Sequence, residues 1–144
     1  MKIYIAAPLF NESELERNLK IRDFLKELGY DTYLPQEDGG ISYNLIKQGG
    51  EVSDTRTKIF EHDVQEVKDS DVILCVLDGR VPDEGMCIEL GIGYALGKTC
   101  IGYLTDQRSL DPYGPSLMIE GCLKETVHSM DELKGTLDRH RVEK

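Results

Sequence analysis

Six consecutive apolar residues, Val72-Ile73-Leu74-Cys75-Val76-Leu77, constrain this chain more than any other feature. A strand with one wet face alternates apolar and polar residues. An unbroken, β-branched run of this length instead reads as a strand covered on both faces, the environment of a parallel sheet between two helical layers. Asp69-Ser70-Asp71 precedes the run and Asp78-Gly79 ends it. Ligands of open α/β sheets bind outside the carboxyl ends of strands, so Asp78, Asp83 and Glu84 lie where a site is expected.

The rest of the chain alternates in the same sense. Lys2–Ala7 predicts a first strand and Pro8-Leu9-Phe10-Asn11 the turn after it. Ser13 with Glu16 predicts a capping box for a helix through Leu15, Leu19, Leu25 and Leu28, which Gly29 ends. Tyr30–Leu34 predicts a second strand, stopped by Pro35. Gln36 to about Ser53, with Gly39-Gly40 and Gly49-Gly50, predicts a long loop that either covers a substrate or simply lies on the surface. Ile59, Phe60, Val64 and Val67 recur at helical spacing within 54–68. A third helix is expected over Glu84–Leu96, a strand over Thr99–Leu104, a loop over Asp106–Pro115 and a short helix over Ser116–Lys124. A weak strand over Thr126–His128 follows, and Ser129 with Glu132 predicts a capping box for the last helix. The alternation implies one α/β domain over 1–144: a doubly wound, flavodoxin-like or Rossmann-like parallel five-stranded sheet of order 2-1-3-4-5.

A formal net charge of −10 over 144 residues argues against duplex nucleic acid and anionic membrane surfaces, which are bound through clustered cations. A small, weakly charged molecule suits it better. Cys75, Cys87, Cys100 and Cys122 form no C-x-x-C pair and read as reduced core thiols. The apolar start is too short for a signal peptide and no stretch reaches a membrane span, so a cytoplasmic location is expected. The turn after the first strand, Ala6 to Asn11, has no glycine, which removes the G-x-G-x-x-G cradle for a dinucleotide. Gly85, Gly91, Gly93 and Gly97 fall along one helix and are expected to serve packing.

Three acids remain: Asp63, Asp83 and Glu89. Asp83 suits an N-cap, accepting a backbone hydrogen bond and complementing the helix dipole. Glu89 has Gly85 and Gly93 at i−4 and i+4, so no Lys or Arg on its own helix offers an ion pair. A carboxylate among apolar and small neighbours points to chemistry. His62 and His128 have no acidic and nucleophilic partner at a recognisable spacing and read as structural or surface residues. Arg80 and Lys98 are the basic residues nearest in sequence, Arg80 reading as a loop charge.

The chain resembles the nucleoside 2-deoxyribosyltransferases and the related nucleoside 5′-monophosphate N-glycosidases. The resemblance rests on Ile3-Tyr4-Ile-Ala-Ala-Pro-Leu-Phe10, His62-Asp63 with Asp69-Ser-Asp71-Val, Asp83-x-Gly85-x-x-x-Glu89-Leu-Gly91 with Ala95-Leu-x-Lys98, and Ser116-Leu-Met118. It implies Glu89 as nucleophile, Asp63 as the acid beside the leaving base, Tyr4 as the hydroxyl that orients Glu89, and Asp83 as the group holding the deoxyribose 5′-hydroxyl. Gly85, Ala7, Leu9, Phe10, Ser116 and Met118 complete the implied substrate site, Leu9 and Phe10 as walls or as plain core.

Such residue types suit displacement at an anomeric carbon, where a carboxylate captures an oxocarbenium-like centre and an acid assists the leaving base. Two departures pull in opposite directions. Ser116 stands where transferases often carry an Asn donated by a neighbouring subunit, and is similar to the N-glycosidase branch. Asp83 stands where that branch uses a Ser to accept a phosphate, which a carboxylate repels. The resemblance therefore implies a transferase acting on a 2′-deoxynucleoside and a free nucleobase, with no metal or organic cofactor, in a homo-oligomer with shared sites. Hydrolysis of nucleosides or their monophosphates, and a non-catalytic nucleoside-binding domain, stay open beside it.

Overall fold

A computed structural model describes residues 1–38, 51–106 and 116–142. Five strands, β1 (Lys2–Ala6), β2 (Asp31–Tyr33), β3 (Val72–Val76), β4 (Thr99–Tyr103) and β5 (Glu125–Val127), form one sheet in the order β2-β1-β3-β4-β5. Every pair is parallel, with Tyr4 opposite Tyr33 on one side and Ile73 on the other. The predicted order and the both-faces-covered reading of Val72–Val76 hold, since all five residues of β3 are buried.

Six helices are described: α1 (Glu12–Glu27), α2 (Pro35–Asp38), α3 (Val52–Asp69), α4 (Glu84–Ala95), α5 (Leu117–Cys122) and α6 (Met130–Val142). Because strand side chains alternate between faces, each strand builds two cores at once. Ile3, Ile5, Val72, Leu74, Val76 and Ile101 pack with Ile21 and Leu25 of α1 and Leu133 and Leu137 of α6. Tyr4, Ala6, Tyr33, Ile73, Cys75 and Cys100 pack with Val67 of α3 and Met86 and Leu90 of α4. All four thiols are free; Cys75 and Cys100 are buried in the core as expected, whereas Cys87 and Cys122 are only partly buried against it.

Several local expectations need correction. The first helix is capped by Asn11, not Ser13: Asn11 Oδ1 accepts from Glu14 N at 3.0 Å and Glu14 returns to Phe10 N at 2.8 Å. Asn is as good a cap as Ser, and starting two residues earlier adds helix without losing the apolar stripe. The expected loop from Gln36 begins as helix α2 and ends where α3 starts at Val52; its middle, 39–50, lies outside the described residues, as does 107–115 of the second loop. Ser129 Oγ accepts from Glu132 N as predicted, but Glu132 reaches back to His128 N instead of closing on Ser129.

Of the four glycines assigned to packing, Gly93 fits best, since a Cβ there would stand 2.7 Å from Ile73 Cγ1. A Cβ on Gly85 would meet only the Asp83 carboxylate, at 3.1 Å, while one on Gly91 meets nothing within 4 Å. Gly97 is required instead by its positive φ of 71° at the end of α4. Among the described residues no helix is long and apolar enough to cross a membrane.

Candidate active site

The site grows from the sheet face that carries Tyr4. Tyr4 lies on β1, fully buried, and its hydroxyl donates to Glu89 Oε1 at 2.7 Å. Glu89 reaches it because α4 turns Met86, Leu90 and Gly93 to the sheet, and position 89 falls within that stripe. Asp83 caps the same helix, its Oδ2 accepting from Met86 N at 2.9 Å. This fixes the start of α4, and with it the direction in which Glu89 projects. On the neighbouring strand, Tyr33 donates its hydroxyl to Oδ1 of Asp63 on α3 at 2.8 Å. The Tyr4 and Tyr33 rings stack at 5.2 Å with 23° between their planes. Two tyrosine–carboxylate pairs thus stand side by side.

Electrostatics sets the protonation of the pair. Burial, with a smaller push from the charges of Asp63 and Asp83, raises the Glu89 carboxyl to about 8, against the Tyr4 hydrogen bond that favours its charged form. Burial likewise raises Asp63, while the Tyr33 hydrogen bond and His62 pull it down. Burial and the neighbouring carboxylates hold the Tyr4 and Tyr33 hydroxyls protonated, as donors. Carboxyl groups moved toward neutrality are suited to exchange protons at neutral pH. Among the described residues no group of His, Cys, Asp and Glu has the arrangement of a metal site.

The other predicted residues are placed as follows. Gly85 lies in the first turn of α4, beside Asp83. Ala7 is buried in the core on the opposite face, with Ile5 and Ile21. Phe10 is 78% exposed, which removes the core-packing reading for it, and Leu9 is partly buried. Ser116 and Met118 lie exposed at the start of α5, where Ser116 makes no side-chain cap. Asp78 has a structural role: its carboxylate accepts from Thr105 N, Thr105 Oγ1 and Asp106 N, tying the end of β3 to that of β4. Lys98 donates to the Lys68 carbonyl. His62 packs edge-on against Tyr33 at 5.6 Å, a structural role as expected.

Two residues of the site region escaped the sequence reading. Tyr33 is one; only its register opposite Tyr4 reveals it. Asn18, fully buried, is the other. Its amide donates to the Pro8 carbonyl at 2.8 Å and to Gln36 Oε1 at 2.9 Å, and Gln36 returns to Leu15 O, so the turn after β1 is held from below. A polar residue inside the apolar stripe of α1 was the available signal.

A family model described as nucleoside 2-deoxyribosyltransferase matches residues 3–136, and the chain belongs to that family. Among solved structures, a 2-deoxyribosyltransferase of Bacillus psychrosaccharolyticus is 28% identical over 92% of this chain and 90% of that one, with a TM-score of 0.72. A conserved protein of Enterococcus faecalis V583 is 27% identical over 97% of this chain and 98% of that one, with a TM-score of 0.78. The CMP N-glycosidase of Clostridium botulinum, 19% identical over 96% and 99% of the two chains at a TM-score of 0.57, shares the fold. No curated protein sequence matches.

Proposed function

We propose that the protein moves the 2-deoxyribosyl group of a 2′-deoxynucleoside from one nucleobase to another through a covalent intermediate on Glu89. The observation that carries this reading is the 2.7 Å hydrogen bond from buried Tyr4 to Glu89 Oε1, beside Asp63 held by its own tyrosine. Tyr4 occupies one oxygen of Glu89 and favours its charged form, so the other oxygen attacks C1′ as the glycosidic bond breaks. The departing base takes its proton from Asp63. A second base then attacks C1′, regenerates the Glu89 carboxylate and returns a proton to Asp63. The free oxygen of Asp83 holds the sugar 5′-hydroxyl while its other oxygen caps α4. No cofactor enters any step.

Apolar side chains exposed on the helices of the site face, Phe60, Ile88, Leu117 and Met118, support a homo-oligomer in which a neighbour contributes Ser116 and Met118. The function is tested by incubating the protein with a deoxynucleoside and a second free base. Exchanged nucleoside is the expected product. Free deoxyribose alone would make the protein a hydrolase, the outcome that Ser116 in place of an amide favours, and a bound nucleoside with neither product would leave a binding domain.

A further inference from the structure

The proposed function gives chemical roles to Tyr4, Asp63, Asp83 and Glu89, and to the Tyr33 hydroxyl none beyond its bond to Asp63. Tyr33 stands directly opposite Tyr4 across the β1–β2 pair, stacks on its ring at 5.2 Å and bonds Oδ1 of Asp63 at 2.8 Å. His62 meets the same ring edge-on at 5.6 Å. A carboxyl that must deliver a proton to one atom of a base needs one oxygen fixed and the other aimed. Asp63 sits on a helix that has only Val67 fully buried, so its own element holds it weakly.

We propose that Tyr33 is the positioning residue for the acid: its hydroxyl fixes Oδ1 of Asp63, its ring registers that acid against Tyr4 and Glu89, and Oδ2 is left to pass the proton to and from the nucleobase. This rests on the functional reading above. The groups that face Asp63 are Tyr33 from β2, Tyr4 from β1, Glu89 from α4, and His62 and Glu66 from α3 itself, with Asp38 of α2 acting on Tyr33. Of these, Tyr33 alone donates a hydrogen bond to Asp63 among the described residues. Removing a donor to the ionised form makes the carboxyl harder to ionise, so the loss of the Tyr33 hydroxyl moves the Asp63 titration upward.

Tyr33→Phe keeps the stack and removes the donor. With a deoxynucleoside as substrate, kcat is expected to fall roughly 10- to 100-fold with KM little changed, the effect of losing a hydrogen bond to a charged group. With 4-nitrophenyl 2-deoxyriboside, whose nitrophenolate leaves without a proton, the variant is expected to match the parent at the step that releases nitrophenolate. Carboxyl carbon resonances of ¹³C-labelled protein, with the Asp63 signal assigned through Asp63→Asn, should titrate about one unit higher in Tyr33→Phe.

Equal loss on both substrates means general damage to the site and overturns the positioning role, as does an Asp63 titration that stays where it was. If the parent protein turns over neither substrate, the functional reading fails instead. The carboxyl titration then still decides whether Tyr33 holds Asp63.

Discussion

The two faces of the sheet are made by the same strands and differ in what they hold. Toward α1 and α6, Ile3, Ile5, Leu74 and Ile101 meet Ile21, Leu25, Leu133 and Leu137, an apolar core. Toward α3 and α4, one residue along each strand, the side chains are Tyr4, Tyr33, Ile73 and Cys75, and Glu89 and Asp63 point among them. The first face stabilises the fold. The second gives up part of that stabilisation to hold two carboxyl groups partly shielded from water, and that shielding favours their protonated forms. Mutations on the two faces should therefore separate stability from activity.

The largest contrast is expected at Glu89. Glu89→Gln should lower turnover by at least about a thousandfold, because an amide cannot form the glycosyl ester. The same change should stabilise the fold in a pH-dependent way. Since Glu89 titrates near 8 in the folded state against 4.5 in the unfolded chain, the native state holds the extra proton between those values and loses stability as pH rises through the window. The gain in Tm of Glu89→Gln over the parent should grow from pH 4.5 to about 8 and then level off. A gain independent of pH would break the comparison between the faces.

Leu25→Ala tests the opposite face. It should cost roughly 2–5 kcal/mol of stability by leaving a cavity among fully buried neighbours, measured by denaturant titration. Activity per folded molecule should be kept. A comparable loss of kcat would mean that the two cores are not separable.

Tyr4→Phe comes next, since it keeps the packing and removes one donor. A drop of about 10- to 100-fold in kcat/KM is expected, with the Glu89 titration moving above 8 because the bond that favours its charged form is gone. The pH profile would show this directly. On the proposed mechanism a normal deoxynucleoside needs one proton on the Glu89–Asp63 pair, so kcat/KM should be bell-shaped with its alkaline limb near 8. With the nitrophenyl substrate, ionised Glu89 suffices and the alkaline limb should become a plateau.

Asp83→Asn gives the smallest effect on the fold. Asn caps a helix about as well as Asp, so the stability change should stay within about 0.5 kcal/mol by thermal melting. If Asp83 holds the sugar hydroxyl as proposed, KM for the deoxynucleoside should rise, because the neutral amide is a weaker acceptor. A stability loss without any change in KM would reduce Asp83 to a cap.

Much of this was legible in the residues. The unbroken apolar run of β3 implied the doubly covered sheet, and Glu89 stood out because Gly85 and Gly93, at i−4 and i+4, leave it no ion-pair partner on its own helix. Asp83 could be read as a cap from the turn before it. Tyr33 could not be read, because nothing within residues 30–34 distinguishes a tyrosine that packs from one that holds an acid. Its partner, Asp63, is thirty positions away, and the Tyr4 ring it stacks on lies on another strand. The Asn11 cap was missed for a local reason: two acceptable caps, Asn11 and Ser13, compete within three residues, and the bond between Glu14 and Phe10 decides between them.

The sequence by itself determined the alternation of strands and helices, the covered sheet and the acids that have no business among apolar neighbours, because periodicity and helix propensity act within a few residues. Tertiary structure alone decided which face each strand residue serves, that Tyr33 meets Asp63, and that Glu89 keeps its proton to about pH 8. Those depend on register between distant segments and on the depth at which a charge is buried. Neither is a property of any local stretch of the chain.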